Sequence, residues 1–331
     1  LAEEEVDVEG LLTDHQEIRM LRRRKINPEL LEAFHEKGFS TPVIGVTGGK
    51  GGVGKTAVAV NVAVAVAEMG FNVALVDADV DNPNAGIITD MGVANPAEVQ
   101  MTIPDINAAK CDSCGDCIRA CRHHALLLPP DKSAMLIGDC NGCEACILVC
   151  QQEAIARGER LIGWTYKNSA DNLILYTGEL IPGLEESAAV VKALKNRVFN
   201  EAEQFDLIVV DTSPGIHCNV IAALQGADSF MAETEPTPLG AHDLDLVLQL
   251  LNLFQLPGKV VLNRADLPGN KKKIASIARR HRIPVAREIM TDEALLESYV
   301  EAVPIIRRDP AAHSAIAFLG LAQEIVDEYL A

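Results

Sequence analysis

Aromatic side chains are scarce in this chain, with one tryptophan, four tyrosines and eight phenylalanines among 331 residues. The core must therefore be filled by small aliphatics, chiefly alanine and valine, as in a sheet packed beneath helices. Basic charge is also short: 29 lysines and arginines face 47 acidic residues, for a net charge of −18. That balance argues against nucleic acid, whose binders present a basic face. Long hydrophobic runs are missing as well. The most apolar stretch, Ala57 to Ala67, contains Asn61 and falls well short of the roughly 20 residues that cross a bilayer. The end of the chain, Ser314 to Ala331, reads as a helix carrying Glu324, Asp327 and Glu328, a charge that anionic lipid repels. Neither a membrane nor nucleic acid is expected as a partner, and a cytoplasmic setting is expected. The one basic run, Arg22-Arg23-Arg24-Lys25 beside Arg19, fits a solvated helix face in an N-terminal helical extension, residues 1–40.

Cysteine is plentiful and ordered. Two runs, Cys111-Cys114-Cys117-Cys121 and Cys140-Cys143-Cys146-Cys150, share the spacing CxxCxxCxxxC. In such runs three thiolates wrap one cubane and the fourth reaches the cubane of the other run. The spacing therefore predicts two 4Fe-4S clusters. Cys111, Cys114, Cys117 and Cys150 would hold the first, and Cys140, Cys143, Cys146 and Cys121 the second. Disulfides are disfavoured because no export signal is read, and four-ligand zinc sites more often use two CxxC pairs. Residues 101–157 resemble a bacterial-type two-cluster ferredoxin, except that Arg122 and Gln151 replace the proline after each fourth cysteine. That proline shapes the exit turn and is not a ligand.

A second motif lies upstream. The apolar run Val43-Ile44-Gly45-Val46-Thr47 leads into GGKGGVGKT and then into an alanine and valine helix pattern, the strand, loop and helix that a P-loop needs. The amides of Gly51, Gly52, Val53, Gly54, Lys55, Thr56 and Ala57 are expected to cradle phosphates, with Lys55 on the β and γ phosphates and Thr56 on Mg2+. A second strand ends in DADVDNPN, whose acids face the phosphate crevice, and its resemblance to the switch I of P-loop ATPases implies that Asp79 orients the attacking water or a magnesium-bound water, with Asp77 in support. The strand Leu207–Val210 ends at Asp211, followed by TSPG, and this string resembles a Walker B strand running into switch II, which implies that Asp211 holds Mg2+ through water and that Gly215 senses the γ-phosphate.

With Lys50, the string KGGVGKT resembles the deviant Walker A motif of the MinD, ParA and Mrp ATPases. DADVDNPN, DTSPGIHC and TEPTPLGAHD extend that resemblance over residues 41–331. The resemblance implies a sandwich homodimer in the ATP state, in which Lys50 reaches the partner's nucleotide. It also implies that Asn263, in the string NRAD, reads the base. NRAD resembles the guanine-reading NKxD too, so ATP is favoured by the other motifs while GTP stays open. Cys218 stands seven residues after Asp211. A nitrogenase iron protein has at this offset a switch cysteine holding a cluster across the dimer. A second such cysteine is missing outside the insert, which leaves Cys218 as an interface ligand or a small core thiol.

The expected architecture is α/β, a doubly wound mainly parallel P-loop sheet with a small inserted α+β ferredoxin domain. Its borders are 41–100 and 158–331 for the ATPase domain and 101–157 for the insert. The expected activity is nucleotide hydrolysis coupled to electron transfer toward a redox or metallocofactor partner protein. Iron-sulfur or metal delivery is the alternative. A spatial organiser like MinD or ParA is disfavoured by the acidic surface.

Overall fold

The computed structural model describes residues 26–130 and 132–331. The basic run and the rest of residues 1–25 lie outside the described residues. From Pro28 the chain forms α1 (Pro28–His35), capped by Asn27, whose Oδ1 accepts from Glu29 N at 3.1 Å. Phe34 stacks on Phe254 at 4.1 Å, and its carbonyl accepts from Gly226 N at 2.7 Å. This part of the extension is a cap on the core.

Seven parallel strands make the centre. In chain order they are β1 (Val43–Thr47), β2 (Val73–Ala78), β7 (Leu173–Leu180), β8 (Leu207–Thr212), β9 (Ser229–Thr234), β10 (Gly258–Leu262) and β11 (Val285–Glu288). Two further strands, β3 (Ala97–Ile106) and β6 (Ile155–Ala170), complete a nine-stranded sheet of order β11-β10-β9-β1-β8-β2-β7-β6-β3. The central strands are buried on both faces and read as continuous apolar runs, the pattern of a sheet covered by helices. Helix α2 (Lys55–Glu68) is buried at every position from Ala57 to Ala67. It lies between the sheet and the C-terminal helix α12 (His313–Tyr329), so its small side chains allow close packing on two sides. The opposite face carries α6 (Ser187–Phe199), α7 (Cys218–Leu224) and α8 (Pro238–Leu253).

The sheet changes direction at β6, which runs antiparallel to both β7 and β3. The β3/β6 pair projects as a ribbon with Ile106 opposite Ile155 at its tip. The expected borders at residues 101 and 157 fall inside these strands, and the lobe beyond the tip spans 107–154. Asn107 N donates to Ala154 O at 2.8 Å and closes its base.

Within the lobe, α4 (Asp116–Ala120) and α5 (Ala145–Leu148) flank a two-stranded hairpin, β4 (Leu126–Leu127) with β5 (Met135–Leu136). The two halves repeat each other. Gly115 and Glu144 precede the two helices in left-handed conformation, with φ of 77° and 59°. Glycine adopts that geometry freely. Glu144 is held there by Arg157 on β6, whose Nε and Nη2 lie 3.0 and 2.6 Å from its carboxylate.

Candidate functional site

The carboxyl ends of the parallel strands open on a wide, solvent-connected cleft. Gly51, Gly52, Gly54, Lys55, Thr56 and Ala57 form one wall, and Asp79, Asp81 and His217 stand on others. Two loop glycines have positive φ, 77° at Gly52 and 110° at Gly54. At Gly54 any Cβ would also overlap the Asn263 amide. The loop thus brings backbone amides, not side chains, to the start of α2.

Register places the acids. Asp77 of β2 pairs with Asp211 of β8, so their carboxylates sit side by side, both wholly buried. Asp77 accepts from the amides of Asn84 and Ala85 at 2.8 Å each and from Asp79 N at 3.3 Å, which shapes the DADVDNPN turn. Burial still raises its pKa to about 7 against those bonds. Neither oxygen of Asp211 has a hydrogen-bond partner, nor does either oxygen of Glu233 on β9. Burial first, and neighbouring negative charge second, push Asp211 well above the usual carboxylate range. For Glu233 burial dominates, opposed by Lys55. Burial depresses the Lys55 ammonium, while Asp211, Asp79 and Glu233 pull it back up. Buried carboxylates without donors are costly unless a cation or proton meets them.

Lys50 and Asn263 are both engaged within the single chain. Lys50 is turned to Glu235, 2.7 Å away, and Arg264 binds the other oxygen of the same carboxylate at 3.3 Å. Asn263 does not line the cleft among the described residues. Its Nδ2 donates to Val53 O at 2.7 Å and its Oδ1 accepts from Arg264 N at 2.8 Å, so both amide atoms brace the loop. Val53 is itself buried. Gly215 N donates to Gly48 O at 3.0 Å, which ties the second switch to the P-loop. Cys218 is exposed at the first turn of α7, after His217. Sequence reasoning missed Glu233, Arg264 and Tyr299. Glu233 had a signal, an acid near the end of an apolar strand, the logic already applied to Asp211. Tyr299, on α10 (Glu293–Val300), had none, being remote in sequence from every motif it meets.

In the lobe the eight cysteines sort into two cavities. One, with an empty volume of about 400 Å³, is lined by Cys121, Cys140, Cys143 and Cys146. The other, of about 370 Å³, is lined by Cys111, Cys114, Cys117 and Cys150. Among the described residues no three His, Cys, Asp or Glu side chains gather as around a single metal ion. The thiols ring the cavities instead. Ala125 N lies 3.4 Å from Cys121 Sγ and Ala154 N 3.3 Å from Cys150 Sγ, one amide for each crossing thiol. An all-thiol set in two matched rings fits two cubanes.

Amides around a loop at a helix start suit a phosphate chain, and donor-free acids beside them suit a divalent cation. The class is thus that of P-loop nucleotide-binding proteins. The chain belongs to the CobQ/CobB/MinD/ParA nucleotide-binding-domain family, which matches residues 44–305. It is 31% identical over 262 residues to an uncharacterized protein of Methanocaldococcus jannaschii, MJ0579, covering 78% of this chain and 91% of that one. An iron-sulfur cluster carrier protein of Pyrococcus furiosus is 23% identical, over 86% of this chain and 85% of its own length. The fold also resembles the cell division ATPase MinD of Pyrococcus furiosus, with TM-score 0.56 and 20% identity, covering 87% of this chain and 99% of the other. No helix among the described residues is long and apolar enough to cross a membrane.

Proposed function

We propose that this protein hydrolyses ATP as a homodimer and uses the nucleotide cycle to govern electron transfer from two 4Fe-4S clusters to a partner protein. Maturation of a metalloenzyme is a fitting setting. The observation that carries the reading is the division of eight cysteines into two rings of four, each completed by one thiol from the other run. In the cleft, the P-loop amides and Lys55 bind the phosphates, Thr56 and Asp211 hold Mg2+, and Asp79 orients the water. Lys50 leaves Glu235 when a second copy presents its nucleotide. When bound, the clusters take up and release single electrons, supplied by a reduced carrier and delivered to the partner's metal centre.

Delivery of an iron-sulfur cluster is the second reading. It is favoured by the relative named a cluster carrier and by the exposure of Cys218 beside the cleft. Anaerobic purification with iron counting and EPR, with and without MgATP, tests both. The main reading expects about eight iron atoms per chain and an EPR spectrum that changes with MgATP. Iron-free protein purified anaerobically overturns it, and iron that passes to an apo-protein acceptor favours delivery.

A further inference from the structure

We propose that Asp81 is a positioning residue that, through Ser187, passes the state of the nucleotide cleft to the ribbon bearing the cysteine lobe. The inference rests on the nucleotide reading of the cleft. Asp81 lines that cleft, and both its oxygens accept from the Ser187 hydroxyl, at 2.8 and 3.0 Å. Ser187 is the first residue of α6, and Glu186, immediately before it, pairs with Arg160 of β6. Arg160 stands opposite Met101 on the ribbon, between the sheet and the lobe. Four side chains thus connect the phosphate end of the cleft to the lobe's support.

The same helix meets the other switch. Lys195 of α6 donates to the carbonyls of Ala222 and Gln225 at the end of α7, the helix that follows DTSPGIH. A parallel contact reinforces the first: Leu180 N of β7 donates to Val80 O at 2.9 Å, and Val80 sits over Gly178, where a Cβ would collide with it. Coupling needs an element that both sites bias. Helix α6 touches the Asp81 loop, the helix that follows the second switch, and the ribbon, and meets that condition. A Mg2+ ion that draws Asp81 inward, or a phosphate chain that repels it, moves the start of α6, and Arg160 carries the movement to β6.

Hydrogen exchange read by mass spectrometry on the full chain tests this, with and without MgADP or a non-hydrolysable ATP analogue. In the wild type, the analogue is expected to change exchange about fivefold in ribbon peptides 99–106 and 155–162. In Ser187→Ala and in Arg160→Gln the P-loop amides still respond, while the ribbon response falls below half. Ser187→Thr, which keeps the hydroxyl, restores it. A ribbon response in Ser187→Ala equal to the wild type overturns the proposal, as does a Thr variant no better than Ala. A wild-type ribbon that ignores nucleotide while the P-loop responds overturns this proposal alone. A silent P-loop overturns the nucleotide reading and this inference with it.

Discussion

The nucleotide cleft and the cysteine lobe are built on different foundations. The cleft takes its side chains from the ends of parallel strands whose interiors are fully buried, so its geometry rests on a large core. The lobe's packed cluster is only Cys117, Leu126, Ala134 and Cys146, joined by Ile155 at the ribbon tip, and two of these are themselves cysteines of the rings. A core that small supplies little stability. Under the proposed function, the difference separates a site held by the protein core from one that its clusters would help to hold.

Lys55→Ala tests the independence of the two with the largest effect. It is expected to lower phosphate release from MgATP by about a hundredfold to a thousandfold, with iron content unchanged. Iron lost together with hydrolysis breaks the comparison. Cys146→Ser tests the lobe from its own side. Iron should fall by about half, and limited proteolysis within 107–154 should quicken about tenfold as local opening becomes easier. Nucleotide affinity should hold.

Asn263→Ala sharpens what fixes the cleft. Losing its bond orphans the Val53 carbonyl, and equilibrium titration should show ATP and GTP weakened by a common factor of about five to ten. A base reader would instead change the ratio between the two. The smallest effect is on pH. Burial lowers the Lys195 ammonium to about 7 from its ordinary value of 10.5. Between those values the unfolded chain binds the extra proton, so stability rises with pH across that window. Urea midpoints measured across the window should rise in the wild type and stay flatter in Lys195→Met.

The parallel sheet was legible because each motif is an apolar run ending in a polar residue, and such runs can only be central strands. Asp77 and Asp211 follow from this, since the carboxyl end of a parallel strand faces the crevice. The ribbon was not legible. β3 contains Pro104 and many exposed positions, and β6 carries Arg157, Arg160 and Lys167 on a partly solvated surface. An antiparallel extension of this kind has no continuous apolar signal, so the expected insert absorbed it. The orientation of Asn263 and the Glu235 partner of Lys50 depend on loops distant in sequence, and no local pattern encodes them.

The 2.8 Å bond from Asn107 to Ala154 has a consequence for ancestry and for engineering. The lobe leaves and rejoins the chain at one point, so it is a cassette: removing 107–154 and joining Ile106 to Ile155 with a tight turn leaves an ordinary hairpin at the sheet edge. The shortened chain keeps every residue of the nucleotide cleft, and the lobe can be exchanged for another without disturbing the strands that grip it.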